Sequence, residues 1–165
     1  MTTPNDIVGL MFAHHLWATR KLIDHLEGLA PGQLDEAVPG TYGPVLQTLT
    51  HLVDADDRYL QRMSGKVLGD YVDRGAVPLA TLRGELDDHE TRWGGYLRQL
   101  DEGTLRAAIT GRADEPDIPD AEGLLLIQAV HHGNDHRTQI CSTLGALDEA
   151  VPDLDGWSFW AERGS

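Results

Sequence analysis

The chain has 165 residues, enough for one domain with its own core, and at 41% apolar it falls outside the disordered class. Thirteen basic residues against 27 acidic ones give a net charge of −14, the wrong sign for a nucleic-acid backbone. The longest apolar run, Leu124 to Ile127, is far short of the ~18 residues that span a bilayer. No basic-then-apolar leader opens the chain, so the expected compartment is the cytoplasm, and the single Cys141 excludes an intrachain disulfide or a thiolate-rich zinc site.

The first predicted helix runs from about Pro4 to Leu29. Thr3 suits the cap and Pro4 the first helical position, and Gly28, Pro31 and Gly32 end the helix. Ile7, Leu10, Met11, His14, Ala18, Leu22, His25 and Leu29 recur at three- and four-residue steps and make its expected inner face. The second runs from about Pro44 to Met63, with Val45, Leu46, Leu49, Leu52, Val53, Leu60 and Met63 as its stripe. The third runs from about Pro78 to Leu100, with Leu79, Leu82, Leu86, Trp93 and Leu97 inward; Gly94 and Gly95 weaken it without cancelling the pattern. Residues 103–120 read as a loop or a short hairpin. The fourth helix runs from about Ala121 to Leu147, with a stripe that includes Ile127, Val130, Ile140, Cys141, Leu144 and Leu147. Trp157, Phe159 and Trp160 then predict a short helix covering the bundle or a second subunit. Four amphipathic helices of similar length predict an all-α, four-helix bundle in one domain over residues 1–165.

Eight histidines stand at 14, 15, 25, 51, 89, 131, 132 and 136. His132 and His136 are one turn apart and only ~40° apart in phase, a spacing at which two imidazoles can share one ion. His131 lies ~100° from His132 and does not join the pair. The pair sits at one edge of its apolar stripe, and His51 sits ~140° off the centre of the second helix's stripe. Periodicity alone does not bring those two edges together. Histidines at stripe edges suit a corner between helices that stays open on one side, as a catalytic ion needs. His14 and His25 fall on the expected inner face of the first helix, which makes His14 a candidate pocket residue. Gly133 occupies the place of the glutamate in H-E-x-x-H, so metalloprotease chemistry is disfavoured.

The stretch from Gln128 to Ile140, with His132-Gly133-Asn134-Asp135-His136-Arg137-Thr138-Gln139-Ile140 at its centre, resembles the last-helix signature N-H-G-x-x-H-R-x-Q-I of the DinB/YfiT-like metalloproteins, not the DNA polymerase of similar name. His131 replaces the usual asparagine. Leu49-Thr50-His51-Leu52-Val53-Asp54-Ala55-Asp56 is similar to that family's second-helix motif, a histidine followed five residues later by an acid, and Trp17-Ala18-Thr19 is similar to its W-A-N. The resemblance implies an up-down-down-up bundle, often a homodimer. It also implies one divalent ion (zinc, nickel or iron) held by His51, His132 and His136.

Asp56 and Arg137 fall near the middle of their stripes, where a lone charge would cost several kcal/mol. They are expected to pair with each other, and Gln139, ~20° from His132 in phase, to support the ligands. Relatives of the wider family include S-transferases that use bacillithiol or mycothiol and a mycothiol-dependent isomerase. The resemblance therefore implies a metal-dependent S-transferase acting on a small-molecule thiol and an electrophile, with hydrolysis as a variant. A non-catalytic, metal-bound stress-response protein or a structural bundle is the alternative. No acid is fixed as a base; Asp54 and Asp135 are near in sequence only and are expected to face solvent. Neither nucleic acid nor membrane is an expected partner.

Overall fold

The computed structural model describes residues 4–64, 68–100, 103 and 122–163, and all of its regular structure is helical. The elements are α1 (Pro4–Leu26), α2 (Pro31–Leu34), α3 (Val45–Met63), α4 (Leu79–Leu97), α5 (Glu122–Ala146) and α6 (Gly156–Arg163). The loop or hairpin expected within 103–120 lies outside the described residues, apart from Gly103.

The boundaries follow local chemistry. Pro44 and Pro78 stand just before α3 and α4 in non-helical backbone, each with a fixed φ and no N–H to leave unsatisfied. Ser64 closes α3 by donating both its N–H and its hydroxyl to the Leu60 carbonyl. After α5 the chain reverses through Asp148 at φ 58°, and the Glu149 N–H returns to the Leu144 carbonyl at 3.0 Å, a left-handed stop of the kind that satisfies end carbonyls. Asp155 caps α6 by accepting the Ser158 N–H at 2.8 Å. The single turn α2 was not expected; its entry is held by Gln33, which accepts the Ala30 N–H.

One core joins the four long helices, with Phe12, Leu22, Leu49, Leu52, Leu86, Trp93, Ile140 and Leu144 almost fully buried. Phe12 lies against Trp93 with ring centres 4.2 Å apart. Arg83 pairs with Asp24 and Glu27, and Arg20 with Asp87 and Glu90, along the α1–α4 seam. The extended segment 68–78 runs beside α3, tied by the Val77 N–H to Thr50 and by Arg74 to Asp54 and Glu85.

The buried face of α1 keeps the expected Ala18 and Leu22 but is otherwise turned away from the expected one. Ile7, Leu10 and Met11 are exposed, while Phe12, His15, Leu16, Thr19, Leu22, Ile23 and Leu26 face inward. The difference is a rotation of about 100°. On α5, Ile127 is likewise exposed, and Leu125, Leu126 and Ala129 take the interior.

The outer side of α1 is covered by the tail. His25 meets the Ala150 carbonyl and His14 the Leu154 carbonyl, both at 2.8 Å, while Glu162 accepts from Trp17 and Lys21. Phe159 is buried there; Trp157 and Trp160 remain exposed. No described helix is long and apolar enough to cross a membrane.

Candidate metal centre

His132 and His136 project from adjacent turns of α5 toward His51 on α3. Their Nε2 atoms converge: His132 lies 3.1 Å from His51 and 3.1 Å from His136. Ligand atoms of the three lie within 4.8 Å of one another, and no fourth histidine, cysteine or carboxylate joins the group among the described residues. Two nitrogens each ~2.0–2.1 Å from one ion at a tetrahedral angle lie about 3.3 Å apart, so the observed spacing fits a shared ion.

The far nitrogens decide which tautomer is present. Gln139 Oε1 faces His136 Nδ1 at 3.2 Å and also accepts the Tyr42 N–H at 2.9 Å, so this oxygen is an acceptor and His136 donates to it. That leaves the His136 Nε2 lone pair aimed at the shared centre. Tyr71 Oη sits 3.1 Å from His51 Nδ1 and can play the same part. His132 Nδ1 is buried with no hydrogen-bond partner. Tyr42 stacks on His51 with ring centres 4.3 Å apart and meets His136 edge-on.

Charge effects also favour neutral imidazoles. Burial, with added repulsion from His136 and His51, lowers the His132 pKa to about 4. Burial lowers His136 and His51 as well. Burial, reinforced by Asp54, pushes the Tyr71 hydroxyl up to about 12, so it stays protonated. Neutral nitrogen donors are the form in which histidine binds a metal.

Beneath this cluster lies a second polar layer. His15, wholly buried on α1, has Nε2 2.7 Å from Asp56 Oδ2, and Asp56 is also wholly buried. Arg137 donates to His15 Nδ1 at 3.2 Å, to Thr19 at 2.9 Å and to Asn134 at 2.6 Å. Because a guanidinium can only donate, His15 Nδ1 must accept, and its proton sits on Nε2 facing Asp56. Burial pulls the Arg137 guanidinium down to about 10, which leaves it charged at neutral pH. The expected Asp56–Arg137 pair is therefore corrected: both charges are buried, but a neutral histidine stands between them.

Gly133 makes this layer possible. A Cβ there would come 2.3 Å from His15 Cε1 and 2.6 Å from its Nδ1, so only glycine lets α5 close over the ring.

His14 does not point into the bundle; with α1 rotated it faces the tail, between Leu154 and the Phe159 ring. Asp54 does not face solvent freely, since its carboxylate is paired with Arg74. Asp135 and His131 are exposed. Sequence reasoning missed His15, Tyr42 and Tyr71. His15 was detectable: counting Phe12, Leu16, Ile23 and Leu26 turns the α1 stripe toward it. The tyrosines lie outside the periodic segments and left no such signal.

The described residues make a helical fold with a three-histidine group that could hold a metal ion. A model of the DinB superfamily matches residues 14–140, and the chain belongs to that superfamily. No curated protein matches it significantly.

Proposed function

We propose that this protein is a divalent-metal-dependent S-transferase using a low-molecular-weight thiol as cosubstrate. The observation that carries the reading is the convergence of three Nε2 atoms with no fourth protein ligand among the described residues, which leaves a coordination position for substrate. A divalent ion held there supplies Lewis acidity, which lowers the pKa of a thiol or water bound beside it. Zinc, nickel and iron all suit three imidazoles.

The chain's own residues do the rest. Gln139 holds His136 and Tyr71 backs His51, so both rings keep their lone pairs turned to one point. Tyr42 and Tyr71, both partly exposed, wall the side of His51. Tyr71 also borders an open groove of about 790 Å³ lined by Asp54, Arg58, Arg74, Asp88 and Arg92. Such a charged lining suits a polar thiol. In the proposed reaction the thiol proton passes to solvent, the sulfur bonds to an electrophilic carbon, and the leaving group departs.

Two structural readings accompany it. The four long helices form an up-down-down-up bundle, supported by residue pairs that cross α1 and α4 in opposite order (Asp24 with Arg83, Phe12 with Trp93) and α1 and α5 in the same order (His15 beside Gly133, Thr19 with Arg137). The chain forms a homodimer, supported by the exposed Ile7, Met11, Leu124, Ile127, Trp157 and Trp160.

Elemental analysis and thiol-consumption assays test the function together. Wild type should carry about one ion per chain and His132→Ala none. The loaded protein should consume thiol in the presence of an electrophile. Equal metal in both proteins would contradict the ligand set; loaded protein inert across a panel of thiols and electrophiles would contradict the transferase reading alone.

A further inference from the structure

Two of the three candidate ligands have an outer partner in the structure, and the third does not. His51 has Tyr71 and His136 has Gln139, but the Nδ1 of His132 is buried and unpartnered. If His132 turns its Nε2 lone pair to the shared centre, its proton must reside on Nδ1. A buried N–H without an acceptor costs free energy, and buried polar groups are almost always paired.

One other buried oxygen in this corner is equally alone. Asp56 gives Oδ2 to His15, while its Oδ1 has no partner. Asp56 stands on α3 between His51 and Tyr59, whose rings both meet that of His132, and its Oδ2 is bonded to His15, the ring packed against Gly133 beside His132. Tyr59 meets the His132 ring edge-on at 5.9 Å between centres, so the same small region holds all three side chains. The two orphan atoms are complementary, a donor and an acceptor, and they make no direct hydrogen bond with each other. One water between them would satisfy both.

We propose that Asp56 is a positioning residue for His132, receiving its Nδ1–H through one bridging water while His15 and Arg137 pin the carboxylate from behind. The inference rests on the metal-site reading above. A carboxylate behind a ligating histidine fixes its tautomer and raises its basicity. His15 makes the arrangement rigid: it can donate only through Nε2, because Arg137 occupies its other nitrogen. Asp56 is thus held by one oxygen and free at the other. The other candidates nearby are already committed or wrongly placed. Tyr59 is engaged with Gln128, and Asp135 is on the exposed face of α5.

Zinc affinity, measured by competition with a chromophoric chelator, tests this in wild type, Asp56→Asn and Tyr59→Phe. Asn keeps the shape and a hydrogen-bonding oxygen but removes the charge. Asp56→Asn should weaken zinc binding by about 10- to 100-fold, and Tyr59→Phe should leave it within about threefold. Cobalt(II) in Asp56→Asn should also show a shifted visible spectrum, which loss of stability alone would not produce. Binding by Asp56→Asn within threefold of wild type would overturn the proposal. Wild type that binds no zinc would overturn the site itself. Should Asp56→Asn fail to fold, histidine-selective nitrogen NMR of zinc-loaded wild type decides the matter. A slowly exchanging His132 Nδ1–H is expected, and a rapidly exchanging one, or a proton on Nε2, counts against it.

Discussion

The outer histidines and the inner one put the same side chain to opposite uses. Where α3 and α5 meet, His51, His132 and His136 turn three Nε2 atoms toward one point; the other nitrogens of His51 and His136 meet Tyr71 and Gln139, and that of His132 is buried. One layer down, His15 spends both nitrogens inside the protein, accepting from Arg137 and facing Asp56. The outer group is partly exposed and free to take a ligand; the inner ring is fully buried and committed. What a histidine does in this fold is decided by what its second nitrogen meets. The inner layer contributes to stability and to the relative placement of α1, α3 and α5. The outer layer contributes chemistry and costs stability, because three imidazoles crowd together with little to pair them.

Three experiments test that contrast. The largest effect belongs to the inner layer. His15→Ala leaves the Asp56 carboxylate and the Arg137 guanidinium buried without their shared partner and should cost about 3–5 kcal/mol in urea unfolding. A loss below 1 kcal/mol would show that the layer does not hold the helices together. Next comes Gly133→Ala, whose methyl group must displace the His15 ring; overpacking of this kind costs about 1–3 kcal/mol. The two changes should be less than additive, since removing the imidazole removes the clash. Strict additivity in a double-mutant cycle would place the Gly133 effect elsewhere.

The smallest effect separates the outer layer by pH. His132, with a pKa near 4, binds its proton later in the folded chain than in the unfolded one, where the ordinary value is 6.5. The unfolded state therefore takes up more protons between those values, and stability falls as pH drops from about 6.5 toward 4. His51, His136 and His89 are lowered too and add in the same direction. Thermal melts of metal-free protein should show the loss, and His132→Ala should flatten it. An unchanged slope in that variant would remove His132 as its source.

Much of the fold was legible because the helices are bounded by local signals. Pro44, Pro78 and the Ser64 stop fixed α3 and α4 to within a few residues. The face of α1 was not legible in the same way. Its apolar residues surround much of the helix, since one side meets the core and another is covered by the tail, so choosing a stripe by spacing alone picked the side holding Ile7 and Met11. The His132–His136 pair could be read from a four-residue spacing, whereas His51 needed the family motif. Asp56 and Arg137 were recognisable as costly charges. That a histidine from α1 would stand between them depended on the helix rotation and on Gly133, neither of which periodicity encodes.

The strap along α1 has a consequence for how the chain comes together. Its hydrogen bonds join residues 125 to 145 positions apart, from His25 with Ala150 to Trp17 with Glu162. Contacts between the two ends of a chain bear the full entropy of closing the loop between them, and they form only after the intervening helices have assembled. The strap also buries just one aromatic ring, Phe159, to hold itself down. It is thus the last piece to dock and the first to peel away. In amide exchange, α6 should open well below the free energy of global unfolding, while the amides of α3 and α5 around the histidines exchange only when the whole bundle comes apart.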